Sequence, residues 1–484
     1  MFFQNTKNYD EPNFFKLSER GTTVRTEVIA GLTTFLAMAY ILMVNPSMFS
    51  ALATNGDGSF YNAMYISTAL SAIVGTLLIG LLANLPLAQA PGMGLNAFFV
   101  YTVCLALGFT YANALVFVLL DGVIFVLLTV TGLRKIIFDA IPAVVKAAIP
   151  AGIGLFIAFL GLQDSGLIVK DVSTGVKLAS LNLFGGETDW ASVMPLIVMI
   201  ITMLAISVLS QKKVKGAILW GILGGTALYY FLGGVSVRGF YTNFWAGKTL
   251  NPISAFKDFG SQAFGKVFTE GFDFSAYLAK HNVGDLVLSL ITTSLAFCMV
   301  DMFDTLGTLY GACRGGNLLT VNEAGEEVVP SMNRAMLADA LATCTGAVFG
   351  TSTVTTFVES SSGVAAGGRT GLSSMVTAAL FAVSLFLAPF ASLVPACAYA
   401  AGLVYVGVLM MSSVKAIDWS SPEEAVPAFL TIAFMPFSYN ISYGIAFGLI
   451  SYVVIKLFTG KYKQIRIATA VIAILFLLMF FLTH

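Results

Sequence analysis

Stretch after stretch of this chain runs for about 18 residues or more with almost no charge, and runs of that length are the signature of membrane-spanning helices. Composition agrees. Hydrophobic residues make up 57% of the 484 and charged ones 10%, where a soluble domain carries about 25% charged residues. Mean hydropathy is +0.87. The fold class expected is therefore an all-α polytopic membrane protein embedded in a lipid bilayer.

Candidate spans fall at 26–48, 60–82, 87–108, 112–132, 145–163, 192–210 and 214–234. After a long polar stretch come 285–312, 332–350, 353–367, 373–393, 395–414, 424–438 and 440–457. That is 14 transmembrane segments, seven before the break and seven after it. An extra C-terminal apolar segment, 467–483, either spans or lies against the others. Cytoplasmic loops attract lysine and arginine. With the N-terminus inside, 18 of the 25 basic residues fall on the inner face, among them Arg134, Lys135, Lys213 and Lys215. The other seven fall in two long outer loops, near 164–191 and 235–284. Residues 1–25 are polar and lack the apolar core of a cleavable signal peptide, so they are expected to be cytoplasmic.

Several function classes drop out. Net charge is zero, so no nucleic-acid partner is expected. The five cysteines are scattered singly, and there are two histidines, so no zinc site, disulfide frame or cofactor is expected.

Two segments make poor helices. The third begins LAQAPGMGLNAFF, with Pro91, Gly92 and Gly94 close together. The tenth reads TSTVTTFVESSSGVAAGG, β-branched first and then rich in Ser and Gly. Broken backbone at membrane depth is tolerated where it is buried in protein or lines a cavity. Interruptions at matching places of two halves point to a transporter binding site. Both lie third in their set of seven, and an odd repeat of seven must be inverted. The expectation is two inverted repeats of seven, with short β-strands at 87–91 and 353–357 running side by side. Ser360, Ser361 and Ser362 are expected to cap a short helix over 363–367.

Carboxylates mark the same depth. Asp301 and Asp304, in DMFDTLGTLY, are three residues apart on one side of a helix, followed by Thr305 and Thr308. Glu359 sits at the break of the tenth segment and Asn96 after the break of the third. Desolvation penalises the charged form of a carboxylate with no cationic neighbour, which makes it a proton carrier or cation ligand. The competing reading of Asp301 and Asp304 is a helix end solvated at the cytoplasmic surface. Asp339 and Thr308 are expected to be bonding partners behind the ligands, and Asp121 to be structural. Glu359, at a helix start, has backbone N–H groups to stabilise its charge. Asp304, among Phe303, Leu306 and Leu309, has less help and is the expected proton carrier.

GLTTFLAMAYILMVNP (31–46), QAPGMGLNAFF (89–99), DMFDTLGTL (301–309) and GTSTVTTFVESSSGVAAGGRTGL (350–372) resemble the AzgA-like purine permeases, a branch of the nucleobase–cation symporter-2 family. The resemblance covers nearly the whole chain. It implies a core domain over 26–132 and 285–393 (segments 1–4 and 8–11). It also implies a gate domain over 133–234 and 394–484 (segments 5–7, then 12–14 with the C-terminal segment), and an extracytoplasmic loop at 235–284. It implies proton-coupled uptake of hypoxanthine, guanine or adenine across the plasma membrane. Carried over by motif, Asp301 and Glu359 are purine ligands, Asn96 assists, and Asp304 serves binding or coupling. The chemistry agrees: carboxylates accept in-plane N–H bonds, Asn96 donates and accepts, and Phe357 and Phe98 are placed to stack on a ring. The implied partners are a purine nucleobase, a proton, lipid and, as an open arrangement, a second copy in a homodimer.

Other readings stay beside this one. An anion transporter or exchanger of the same fold would want cations or bare helix ends in its site. Sodium-coupled nucleobase uptake is compatible with the residues alone. Paired aspartates also occur in intramembrane hydrolases, but no matching motif surrounds these, and the chain is not expected to be an enzyme.

Overall fold

A computed structural model of the chain describes residues 14–53, 58–131, 141–183, 188–233, 252–315, 318–321, 327–391 and 393–482. The basic pair Arg134 and Lys135 and the first part of the 235–284 loop lie outside the described residues.

The fold is mostly helical. Among the described residues eight helices are long and apolar enough to cross a membrane: Val24–Leu52, Ser59–Ala83, Tyr111–Thr131, Ala143–Asp164, Trp190–Gln211, Val283–Leu306, Ala396–Ala416 and Ile441–Phe458. Shorter apolar helices cover Met93–Ala106, Ala217–Leu232, Gly371–Leu387 and Ile467–Leu478. Met332–Phe349 and Pro422–Phe437 are helical as well. The first apolar run has a seam: helix Val24–Met38 ends, and Ile41–Phe49 resumes after Ala39 and Tyr40.

Strands form where the two broken segments predict them. β1 (Gln89–Pro91) pairs antiparallel with β2 (Val354–Thr356), with Gln89 opposite Thr356, Ala90 opposite Thr355 and Pro91 opposite Val354. The ladder is extended by Gly92 N–H to Thr353 O and Phe357 N–H to Ala88 O, both at 3.0 Å. Its outer edges are satisfied by side chains. The Thr76 hydroxyl accepts from Gln89 N–H at 3.0 Å and donates to Gln89 O at 3.1 Å. Thr343 donates to Val354 O at 3.2 Å. Two three-residue strands thus cross the interior with backbone groups paired by protein groups, as burial in an apolar medium requires. Gly75 makes room for them: a Cβ there would stand 2.9 Å from Val354 Cγ1.

The serines after β2 behave differently from expectation. The short helix covers Ser360–Ala365, so the three serines form its first turn and do not cap it; no side chain caps this end. Ser360 Oγ instead accepts from Ala88 N–H at 3.0 Å, pinning the start of the helix to the opposite strand.

The helix carrying both aspartates runs from Val283 to Gly315. It continues for eleven residues past Asp304, and Asp301 is fully buried, so these are not residues of a solvated helix end. Helix Met332–Phe349 packs on Ser59–Leu78 and Tyr111–Thr131, and Gly371–Ser384 packs on Val24–Met38. Helix Ala143–Asp164 packs on Ala396–Met410 and Pro422–Phe437. The C-terminal helix Ile467–Leu482 lies against Ile441–Phe458 and buries Phe476. The second part of the 235–284 loop is a set of short docked helices. Asn113 Nδ2 holds the carbonyls of Gly271 (2.7 Å) and Asp273 (2.9 Å).

Candidate functional site

At the C-terminal end of both strands the chain turns into a helix start, and the two turns face a common cavity of about 70 Å³. Its wall comes from five places. The helix seam gives Tyr40. The turn after β1 gives Gly92, Met93 and Gly94. Helix Val283–Gly315 gives Asp304 and Thr308. β2 and the turn beyond it give Thr355 through Glu359. Helix Ala396–Met410 closes the space with Val406 and Met410.

Both cavity carboxylates are held. Tyr40 Oη donates to Glu359 Oε1 at 2.6 Å. Thr355 Oγ1 donates to Asp304 Oδ2 at 3.2 Å. Thr308 bonds the Asp304 carbonyl at 2.8 Å, so it shapes the helix turn and leaves the carboxylate free to face the cavity. Among the described residues no lysine or arginine forms an ion pair with Asp304 or Glu359. The arrangement offers two acceptor groups and an aromatic face, Phe357, in a narrow apolar slot. That suits a flat ligand with in-plane N–H donors.

Three residues expected among the ligands stand behind this wall and do not line the cavity. Asp301 is fully buried one turn before Asp304, outside the cavity wall and in electrostatic range of Asp121, Asp339 and Asp304. Asn96 is engaged locally: Nδ2 donates to Pro91 O at 3.3 Å and Oδ1 accepts from Ser352 Oγ, which ties the broken third segment to the start of the tenth. Phe98 packs its ring on Phe297 with centroids 4.6 Å apart. Asp339 accepts from Gln89 Nε2 (3.0 Å) and Thr305 Oγ1 (2.8 Å), so it anchors β1 to two helices.

Sequence reasoning missed Tyr40. A tyrosine in an apolar helix reads as core, and its one signal was its place inside the 31–46 motif. It also missed a second cavity, of about 470 Å³, whose wall includes Glu359, Thr33, Ser210, Lys213, Lys215, Ser362 and Tyr405. Glu359 therefore belongs to both cavities. Lys215 Nζ is engaged with Thr33 Oγ1 at 3.0 Å.

A family model described as "Permease family" (Xan_ur_permease) matches residues 25–447. The chain belongs to this family. The permease is 36% identical to the adenine permease AdeP of Escherichia coli (strain K12), over 96% of this chain and 94% of that one. It is 38% identical to the guanine/hypoxanthine permease PbuO of Bacillus subtilis (strain 168), over 97% and 100% of the two chains. Among solved structures it is similar to the transmembrane domain of the cyanobacterial bicarbonate transporter BicA, with TM-score 0.57 and 14% identity over 87% of this chain and 97% of that one. It is also similar to the murine anion transporter Slc26a9 in the inward-facing state, with TM-score 0.59 and 14% identity over 90% and 68%. At that identity the likeness concerns the fold alone. The permease is thus a multi-pass membrane protein of the transporter class, not an enzyme.

Proposed function

We propose that the permease is a secondary active transporter that imports purine nucleobases, such as hypoxanthine, guanine or adenine, by proton symport through alternating access. The observation that carries this is the narrow cavity at the strand pair, with Asp304 and Glu359 both in its wall. In this reading Glu359 and Asp304 accept purine N–H bonds, and Phe357 stacks on the ring. Asn96, Phe98, Asp339 and Thr308 hold the wall in shape. Two uncompensated carboxylates argue against an anion as cargo, despite the anion-transporter folds of the solved neighbours. The relatives' named substrates support a nucleobase.

Alternating access rests on 14 segments in two inverted repeats, with segments 1–4 and 8–11 as core and 5–7 and 12–14 as gate. The pairing of a strand from each half at one site supports that division. So do Val406 and Met410, which reach the cavity from the gate side. An inward N-terminus agrees with Lys213 and Lys215 in the larger cavity beside Glu359.

The test is uptake of labelled purines by cells or proteoliposomes carrying the chain, against a panel of unlabelled bases and nucleosides. Purine bases should compete, nucleosides should not, and a protonophore should collapse accumulation. Equal competition by inosine and hypoxanthine, or uptake that needs sodium and resists the protonophore, would overturn the reading.

A further inference from the structure

Asp301 is fully buried, and neither of its oxygens meets a hydrogen-bond donor. Asp121, on helix Tyr111–Thr131, is equally buried and leaves Oδ1 in the same condition. Its Oδ2 is 3.5 Å from the Thr353 hydroxyl, and the Cys298 thiol, one turn before Asp301, lies close to its carboxyl group. Gln89 Oε1, nearby on Asp339, is likewise unmatched. Among the described residues, the titratable groups facing this pair are Cys298 and Asp304 on helix Val283–Gly315 and Asp339 and Cys344 on helix Met332–Phe349. None carries positive charge.

Two buried carboxylates within electrostatic range of each other repel when both are charged, so the stable arrangement is one in which they share a neutralising cation. Buried polar atoms without partners call for such an explanation. Among the described residues no three His, Cys, Asp or Glu side chains are grouped so as to hold a metal ion, which favours a proton as the shared cation.

We propose that Asp301 and Asp121 hold one transferable proton behind the strand pair, and that this proton, rather than one on the cavity carboxylates, moves with the substrate. This rests on the proton-symport reading above. The step is a plain acid–base transfer. One carboxyl O–H bond breaks, the proton passes by way of the Asp304 carboxylate, one helical turn along in the cavity wall, to water reaching that cavity, and the pair gains one negative charge; reloading reverses it. The strand pair separates this site from the cavity and touches both. Thr353 bonds Asp121 through its side chain and Gly92 of the cavity wall through its carbonyl. Asp339 reaches cavity residue Thr356 through Gln89, whose amide also donates to Thr356 Oγ1 at 3.2 Å. Asp301 itself lies one helical turn from Asp304. A change of charge at the pair therefore acts on the strands that shape the purine slot.

The test uses the full chain in proteoliposomes, with Asp301→Asn and Asp121→Asn. Two readouts are compared: purine counterflow without any gradient, which needs binding and translocation only, and accumulation driven by an imposed proton gradient. Both variants should keep counterflow within about threefold of wild type while accumulation falls to simple equilibration. Wild-type accumulation in either folded variant overturns the proposal, and so does loss of counterflow in folded Asp301→Asn, which would make it a ligand. If Asp301→Asn does not fold by size exclusion and melting, Asp121→Asn decides alone. Wild type that ignores the proton gradient sinks the symport reading itself. Accumulation driven by a sodium gradient and lost in Asp301→Asn would assign a sodium ion in place of the proton.

Discussion

The hydroxyl of Tyr40 donates to Glu359 Oε1 at 2.6 Å, joining the seam of the first apolar helix to the break of the tenth segment across 319 positions of sequence. The bond fixes which way Glu359 points where its cavity adjoins a second, larger one. A carboxylate that must meet a flat ligand edge-on gains from being held before the ligand arrives.

Tyr40→Phe keeps the ring and its packing and removes only this donor. A hydrogen bond to a charged group contributes about 1.5–3 kcal/mol, so purine affinity should fall by roughly 10–100-fold. The melting temperature should stay close to wild type. Calorimetric titration of purified protein with a purine base, alongside a thermal melt, reads both numbers. Unchanged affinity would remove Tyr40 from the site.

Glu359→Gln and Asp304→Asn each replace one cavity acceptor by an amide with half the accepting capacity, and each should abolish measurable purine binding. Thr355→Val removes only the 3.2 Å hydroxyl bond to Asp304. Its cost should be about 0.5–1.5 kcal/mol, a severalfold loss of affinity. The order matters more than the sizes: if Thr355→Val harms binding more than Asp304→Asn does, Asp304 is not a ligand and the slot is read by its threonines.

Much of this was legible in the sequence, and the limits have physical causes. Charge-free windows mark the apolar helices, because length and hydropathy suffice for that. Pro91, Gly92 and Gly94 and the β-branched run at 353–357 mark the strands, since neither stretch favours a helix. Which aspartate faces the cavity was not legible. Residues three apart on an α-helix differ by about 60° around its axis, so Asp301 and Asp304 share a side in the coarse sense. The strand pair divides that side: Asp304 meets Thr355, while Asp301 turns toward Asp121. Asn96 shows the same limit. Its side chain could serve a ligand or its own broken backbone, and the Pro91 carbonyl and Ser352 hydroxyl take it.

Gly92 tests the slot by volume. A Cβ added there would stand 2.8 Å from Thr355 Oγ1 and 3.4 Å from Asp304 Oδ2. The methyl group of Gly92→Ala would push directly on the bond that orients Asp304. Overpacking of this kind costs about 1–3 kcal/mol. Here it should appear mainly as weaker purine binding, because the cavity side can give way. Uptake kinetics should show a raised KM. A variant with wild-type KM and a lowered melting temperature would instead place the strain in the strand ladder.

Glu27 offers a prediction about stability that is separate from transport. It lies on helix Val24–Met38, is fully buried, and reaches the N-terminus of helix Gly371–Ser384. Oε1 accepts from Arg369 N–H at 2.8 Å; Oε2 accepts from Ser373 N–H at 3.2 Å, Thr370 N–H at 3.4 Å and the Ser373 hydroxyl. A helix start leaves its first N–H groups unpaired and carries partial positive charge, so a carboxylate from another helix satisfies both needs at once. Glu27→Ala removes the acceptor of the Arg369 and Thr370 N–H groups and leaves Ser373 N–H only its 3.3 Å bond to Thr370 O; a buried N–H left unsatisfied costs about 1–3 kcal/mol. It should lower the melting temperature in detergent by many degrees. Glu27→Gln keeps one acceptor oxygen but turns an NH2 group toward N–H donors, so it should fall between wild type and alanine. Because the bonds are buried, raising salt should not rescue either variant. Tyr40, Asp304 and Glu359 are untouched by these changes, so protein that remains folded at low temperature should bind purine with wild-type affinity. If Glu27→Ala melts like wild type, the two helices are held together by packing alone. Weakened purine binding in the folded variant would tie this cap to the cavity.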